Sequence, residues 1–482
     1  LALLKCGSGP SSHSDQARIF EEKQLPTQLV WFRQDLRTRD HHALAAATAV
    51  GPVLGVYILD DDGPSEHRIG GAQRWWLHHS LAALRRDLAD LGVPLILRRG
   101  RSSAELARLA AEVGAAVVHT HRHYEPWHHV AEAEVGQRLQ LELHNGNLLA
   151  HPRSILNGSG ERYQVFTPWF RKLLDHMPPS LPLPRPEPIT LPVLIPESDD
   201  LGGWGLIPRS PDWSDGFADW SPGERGARAA LRAFLPGLAD YEKARSFPSQ
   251  PVTSRLSPHI HFGEISPATL WHHAEATAGP GARSFLSEIA WREHGLNLVD
   301  QFPGYALGNG RALFDRFPWR SGSDADADFR AWSTGQTGFP VVDAGMRQLW
   351  QTGWMHNRVR MITASFLVKH LLIDWRRGEL WFWDCLLDAD LSANAMNWQY
   401  VAGSGVDAPV FSRIMAPLVQ SRKFDMADYI RRFVPELAHL RDDEIHAPHE
   451  KGVTPQAYPL PIISHEAARA RALAAWDDCR TI

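Results

Sequence analysis

Cysteine is nearly absent from this chain: Cys6, Cys385 and Cys479 among 482 residues are too few and too scattered for a disulfide framework or a thiolate zinc site. That scarcity fits a reducing compartment, so the expected location is cytoplasmic. Long apolar runs are lacking as well. The longest uncharged one, Ala43 to Leu59, is broken by Gly51-Pro52 and falls short of the roughly 20 residues a membrane helix needs, so no membrane contact is expected. Leu1 to Leu4 is too short for a secretory core, and residues 1–27 read as a flexible leader. Charge of one sign is missing too: 50 Lys plus Arg face 55 Asp plus Glu, a net of −5. This excludes a uniformly cationic nucleic-acid coat, but not a local basic groove. The glycine fingerprint of a dinucleotide turn, the Walker A loop and HExxH do not occur.

What the chain does have is 44% apolar residues and a length that suggests two or three domains around large cores. Short apolar runs at Leu29–Phe32, Val53–Leu59, Leu95–Leu97, Ala116–Val118 and Leu139–Leu143 alternate with helical periodicity over 71–91 and 103–113. They predict an α/β domain over 28–150 with four or five buried parallel strands, a Rossmann-like layer fold. Ser103 with Glu105 reads as a capped helix start. Eight prolines between Pro178 and Pro196 rule out helix and sheet, so 151–223 is expected to be an interdomain linker with an extended Pro-rich stretch. From 224 to 482 the periodicity is helical almost throughout, which predicts an all-α domain.

Several polar groupings interrupt that pattern. His119, His121, His123, His128 and His129 crowd one strand end; solvated imidazoles are expected there, and no metal site. Thr253-Ser254-Arg255-Leu256-Ser257 offers hydroxyls and backbone N–H groups at a helix start, suited to a phosphate or to a plain N-cap. Glu288, Trp291 and Arg292 share one helix face, and Asn357, Arg360 and Met361 repeat that spacing. Such faces either meet water or enclose a polar ligand. Asp388 and Asp390 precede Asn394, Trp398 and Tyr400, the spacing of an anionic aromatic pocket or of a surface ion-pair network.

The runs Trp354 to Met361, Asp374-Trp375-Arg376 and Asp388 through Asn394 to Tyr400 closely resemble the photolyase/cryptochrome family, most of all its bacterial class I cyclobutane-dimer photolyases. So do Thr253 to Ser257, Glu288 to Glu293, Thr337 to Pro340 with Asp343 to Arg347, and the opening Val30 to Arg37. The likeness spans residues 28 to 475 in order. It implies an α/β antenna domain, a long linker and a helical domain that binds FAD. It further implies light-driven repair of cyclobutane pyrimidine dimers, by electron transfer from excited reduced FAD to a lesion flipped out of DNA.

By position, the resemblance assigns Tyr241, Thr253, Ser254, Leu256 and Ser257 to the phosphates and nearby groups. Arg292, Asn357, Arg360, Asp388, Asp390 and Asn394 surround flavin and adenosine, with the Asn394 amide serving the flavin N5 edge. Glu288 would hydrogen-bond the pyrimidine carbonyls, Asn357 would touch flavin and lesion, and Trp291, Met361 and Tyr400 would wall the lesion. Trp398, Trp375 and Trp319 match the electron relay, and Arg358, Arg413 and Lys423 the DNA contacts. Two alternatives accompany this reading: a blue-light photoreceptor, and repair of (6-4) photoproducts, whose enzymes place histidines at Asn357 and Met361. Tyr400 replaces a usual tryptophan, and residues 408–417 differ from the usual DNA-facing loop. Trp127-His128 stands where folate-binding relatives carry Asn-Glu, so the antenna chromophore stays open among folate, deazaflavin and flavin. Damaged DNA is the expected partner, and a monomer the expected state.

Overall fold

The computed structural model describes residues 25–453 and 455–481, so the expected leader lies outside the described residues up to 24. Strands β1 (Gln28–Phe32), β2 (Val53–Leu59), β3 (Leu95–Arg99), β4 (Val117–His121) and β5 (Gln140–His144) form one parallel sheet in the order β3-β2-β1-β4-β5. All residues of β1 and β2 are buried, as their unbroken apolar sequences require in a sheet covered on both faces. The order reverses between β1 and β4, and the chain ends there diverge to leave a crevice.

The helix expected from Ser103 starts at Ser102, and Ser103 does not cap it. Asp60, just past β2, accepts both the Ser102 N–H (2.9 Å) and its hydroxyl (3.0 Å), while the Ser103 hydroxyl turns to Glu134. The cap thus comes from across the fold.

The histidine crowd is solvated only in part: His119, His121 and His123 are buried at the end of the sheet, His128 is half-buried and His129 exposed. His121 Nδ1 and His41 Nε2 both approach Asp35 Oδ2, at 3.0 and 3.2 Å. His41 Nδ1 accepts the Leu44 N–H and His121 Nε2 accepts the His42 N–H. Those acceptor roles turn each ring's other nitrogen to Asp35, where His121 Nδ1 makes a hydrogen bond and His41 Nε2 lies at 3.2 Å without hydrogen-bond geometry; His123, Glu125 and His128 form a second group with metal-like spacing.

The proline-rich stretch after Pro178 has no helix or strand and exposes Leu181 and Val193, as expected. The rest of the expected linker is not extended. Helix Phe166–Leu173 buries Trp169 in the helical half's core, and Trp204, Phe217 and Trp220 pack against the α/β core. The apolar side chains on either flank of the prolines need cover, and the two halves supply it.

Four helices position the site: α1 (Gly279–Gln301), α2 (Asn357–Ser365), α3 (Trp375–Cys385) and α4 (Leu391–Ala402). The halves meet through buried polar bonds as well as apolar contact. Trp76 donates to Glu264 at 2.9 Å, Arg37 donates to the Gly263 carbonyl at 3.0 Å, and Gln73 bonds His261 at 3.1 Å. No described helix is long and apolar enough to cross a membrane.

Candidate functional site

A cavity of about 510 Å³ opens between α1, α2 and α4 and the 253–257 segment. Each helix delivers the face its spacing predicts. From α1 come Glu288, Trp291 and Arg292; from α2 come Asn357, Arg358, Arg360 and Met361; from α4 come Asn394, Trp398 and Tyr400. Asp388 and Asp390 enter just before α4, where Asp390 caps the helix by accepting the Ala393 N–H at 2.9 Å. Tyr241, Thr253, Ser254 and Ser257 close the far wall.

Leu256 is the exception. Its side chain is fully buried in the apolar core and its N–H is taken by the Ser254 hydroxyl at 3.3 Å, because the helix that follows turns it inward. Neighbouring Arg255 adopts a left-handed φ of 52° and lies 3.9 Å from the Trp220 ring centroid, which helps hold a conformation costly for a side chain with Cβ.

The charges are arranged to leave bonding capacity at the cavity. Arg360 binds both oxygens of Asp388, at 3.0 and 2.8 Å, and also donates to the Met355 carbonyl at 2.7 Å. Arg292 Nε stands 3.6 Å from Asp390, too long for a hydrogen bond, and is otherwise a buried donor without an acceptor. Burial opposes the charge on Asp390, yet Arg292 and His261 hold its carboxyl below the usual range. Burial pushes the Tyr241 phenol up to about 12 and the His261 imidazole down to about 4. His261 is therefore neutral. Its Nε2 is engaged with Gln73, whose own amide donates to the Trp383 carbonyl and so turns its oxygen to the ring.

Three expectations acquire chemical detail. The Asn394 amide nitrogen donates to the Glu379 carboxylate (2.8 Å) and carbonyl (3.0 Å), which uses both hydrogens and leaves Oδ1 free. What Asn394 can offer the cavity is an acceptor. Glu288 is ion-paired to Arg245 at 2.5 Å; an ionised carboxylate cannot donate to carbonyl oxygens, but can accept a ring N–H. Of the expected relay, only Trp398 lines the cavity. Its ring neighbours include Phe382 at 5.0 Å and Trp332 at 6.2 Å, and Gly378 makes room where a Cβ would collide with the indole. Trp375 is fully buried and donates to Asn309, while Trp319 packs on Phe317.

The expected DNA contacts divide. Arg358 is half-buried in the cavity wall, 4.5 Å from the Phe424 ring centroid and bonded to Ser246, whereas Arg413 and Lys423 are exposed. Among the polar cavity residues that escaped the sequence reading are Arg245 and Tyr305. Arg245 had a signal, its i+4 spacing from Tyr241; Tyr305 had none.

A family profile described as DNA photolyase matches residues 28–188, and one described as the FAD binding domain of DNA photolyase matches residues 285–478. The chain is 47% identical over 471 residues to a deoxyribodipyrimidine photo-lyase of Agrobacterium fabrum, covering 93% of this chain and 97% of that protein. It is 35% identical over 485 residues to cryptochrome-1 of Arabidopsis thaliana, covering 92% of this chain and 69% of that protein. A solved bacterial class III photolyase from Agrobacterium tumefaciens superposes with a TM-score of 0.92 at 45% identity, covering 97% of this chain and 100% of that one.

Proposed function

The chain belongs to the photolyase/cryptochrome family, and we propose that it is a DNA photolyase that uses FAD and light to split cyclobutane pyrimidine dimers. The observation that carries this reading is the junction of two chemistries in one cavity. Guanidiniums and hydroxyls line the same cavity as a carboxylate, an amide and apolar walls.

The residues present fit FAD. The 253–257 hydroxyls suit its phosphates, and Arg292 and the Arg360–Asp388 pair suit its polar ring edges. Bound there, FAD supplies the light-excited electron donor. The protein's own part is positioning. Arg360, locked by Asp388, brings positive charge to the cavity, and Asn394 presents its carbonyl oxygen because Glu379 holds its amide. Glu288, steered by Arg245, would accept a ring N–H of an extruded pyrimidine, and Asn357 would bond its polar edge. Trp291 is stiffened by stacking on Phe166 at 3.5 Å; with Met361 and Tyr400 it would exclude water from the lesion. Trp398, in the cavity wall, would begin a relay of indoles serving bound FAD, with Trp375 and Trp319 as its further proposed members. Arg358, Arg413 and Lys423 would meet DNA, the last two at backbone phosphates.

The domain limits 28–150, 151–223 and 224–482 remain our division, with the helix at 166–173 assigned by packing to the helical half. We read the protein as a cytoplasmic monomer with an antenna chromophore of folate, deazaflavin or flavin type, to be identified by releasing and weighing it. The test of function is illumination of the FAD-reduced protein with a dimer-containing oligonucleotide. Loss of dimer is expected. Intact flavin photoreduction without dimer loss would favour the photoreceptor reading.

A further inference from the structure

Beyond the cavity wall lies a buried amine that none of the roles above uses. After α2 ends at Ser365, the chain makes a π-turn over Phe366–His370, closed by the Leu371 N–H on the Phe366 carbonyl at 3.0 Å. Its one extra residue swings the following side chains by about 100° relative to a continuous α-helix. The swing carries Lys369 inward, where it is 1% exposed.

Among the described residues Lys369 has no carboxylate partner. Its Nζ donates to the Ala402 carbonyl at 3.2 Å and the Phe411 carbonyl at 2.7 Å, and stands 3.6 Å from the Phe411 ring centroid. Those two carbonyls bracket residues 403–410, which have no helix or strand and yet supply Gly405, Asp407 and Ala408 to the cavity. The segment is also held by Arg311, on the Gly403 and Ala408 carbonyls, and by Asp407, which accepts the Phe166 N–H. Burying an amine without a counter-ion is unfavourable, and an apolar chain of equal length would fill the space without that cost. What the amine adds is a fixed span between two backbone points. Burial also draws it well below the usual lysine range.

We propose that Lys369 is a positioning residue for lesion binding, clamping the 403–411 segment into the cavity wall. The inference rests on the repair function above. In Lys369→Met, FAD content and flavin absorbance should match the unaltered protein, while affinity for a dimer-containing oligonucleotide falls roughly tenfold. Hydrogen exchange of the 403–411 amides should quicken in step, and affinity for undamaged DNA should hold. Unchanged exchange overturns the clamp, and faster exchange with unchanged lesion affinity overturns its role in binding. Should the variant fail to fold, the unaltered protein decides: the segment must exchange as slowly as the last turn of α4, and exchange at free-loop rates overturns the proposal. If the unaltered protein ignores the dimer, the repair reading fails, while the exchange comparison still judges the clamp.

Discussion

The two halves each bury carboxylates beside cationic or imidazole groups, with opposite results. In the α/β half, Asp35 takes the Arg33 N–H at 2.6 Å on one oxygen and two neutral imidazoles on the other. Both rings spend their remaining nitrogen on backbone N–H groups. None of these residues lines the cavity; burial resists the charge on Asp35, and the two histidines nevertheless hold its carboxyl well below the usual range. In the helical half, Arg360–Asp388 is satisfied pairwise but lines a cavity, and Arg292, whose Nη1 reaches the Asn147 carbonyl at 3.4 Å, leaves its Nε without an acceptor. Similar residue types thus build a structural knot in one place and a binding surface in the other. Leftover hydrogen-bonding capacity at a cavity separates the two, and charge or burial alone does not.

The sharpest way to break that contrast is Arg360→Ala. It leaves Asp388 buried without its partner, and removing one member of a buried pair costs about 3 kcal/mol or more. We expect loss of bound flavin, read by absorbance per protein, together with a lower melting temperature. The matching change in the other half, Asp35→Asn, should cost about 2 kcal/mol in urea unfolding by disrupting its imidazole contacts. Flavin content of the folded protein should not move. If Asp35→Asn loses flavin, the buried cluster is functional after all and the contrast fails.

A pH experiment separates the halves' interface from both. Burial pushes the Glu293 carboxyl up to about 8, while it accepts the Leu149 N–H at 2.6 Å. The unfolded carboxyl ionises near pH 4.3, so the folded protein loses stability as pH rises from there to about 8. Glu293→Gln does not titrate. Its melting temperature relative to the unaltered protein should therefore climb across that window and level off above it; a flat difference would show that Glu293 is ionised in the fold. Smallest is Lys423→Ala, at an exposed site: affinity for DNA should fall modestly, and the log–log salt slope should shrink by about one.

Much of the site was legible because its residues recur at helical spacing. Glu288, Trp291 and Arg292 had to share a face, as did Asn357, Arg360 and Met361, and that they face one cavity follows from four helices packing together. The first four strands were readable from short apolar runs, the half-exposed β5 only from alternation, and the linker from its prolines. Glu379 was not readable. It grips Asn394 from 15 positions away and meets His67, 312 positions away, at 3.3 Å, and neither partner leaves a periodic trace. The inward turn of Lys369 was not readable either, because a π-turn cannot be distinguished from an α-turn by spacing alone.

Alone, the sequence determined which residue types would be available and on which faces, since periodicity follows from backbone geometry. The direction of each hydrogen bond was decided only by tertiary structure: the Asn394 amide turned to Glu379, the His121 ring turned to Asp35, the Lys369 amine spanning two carbonyls. The physical reason is that a polar side chain's role depends on which of its donors and acceptors remain unspent, and distant segments that meet only in the fold do the spending.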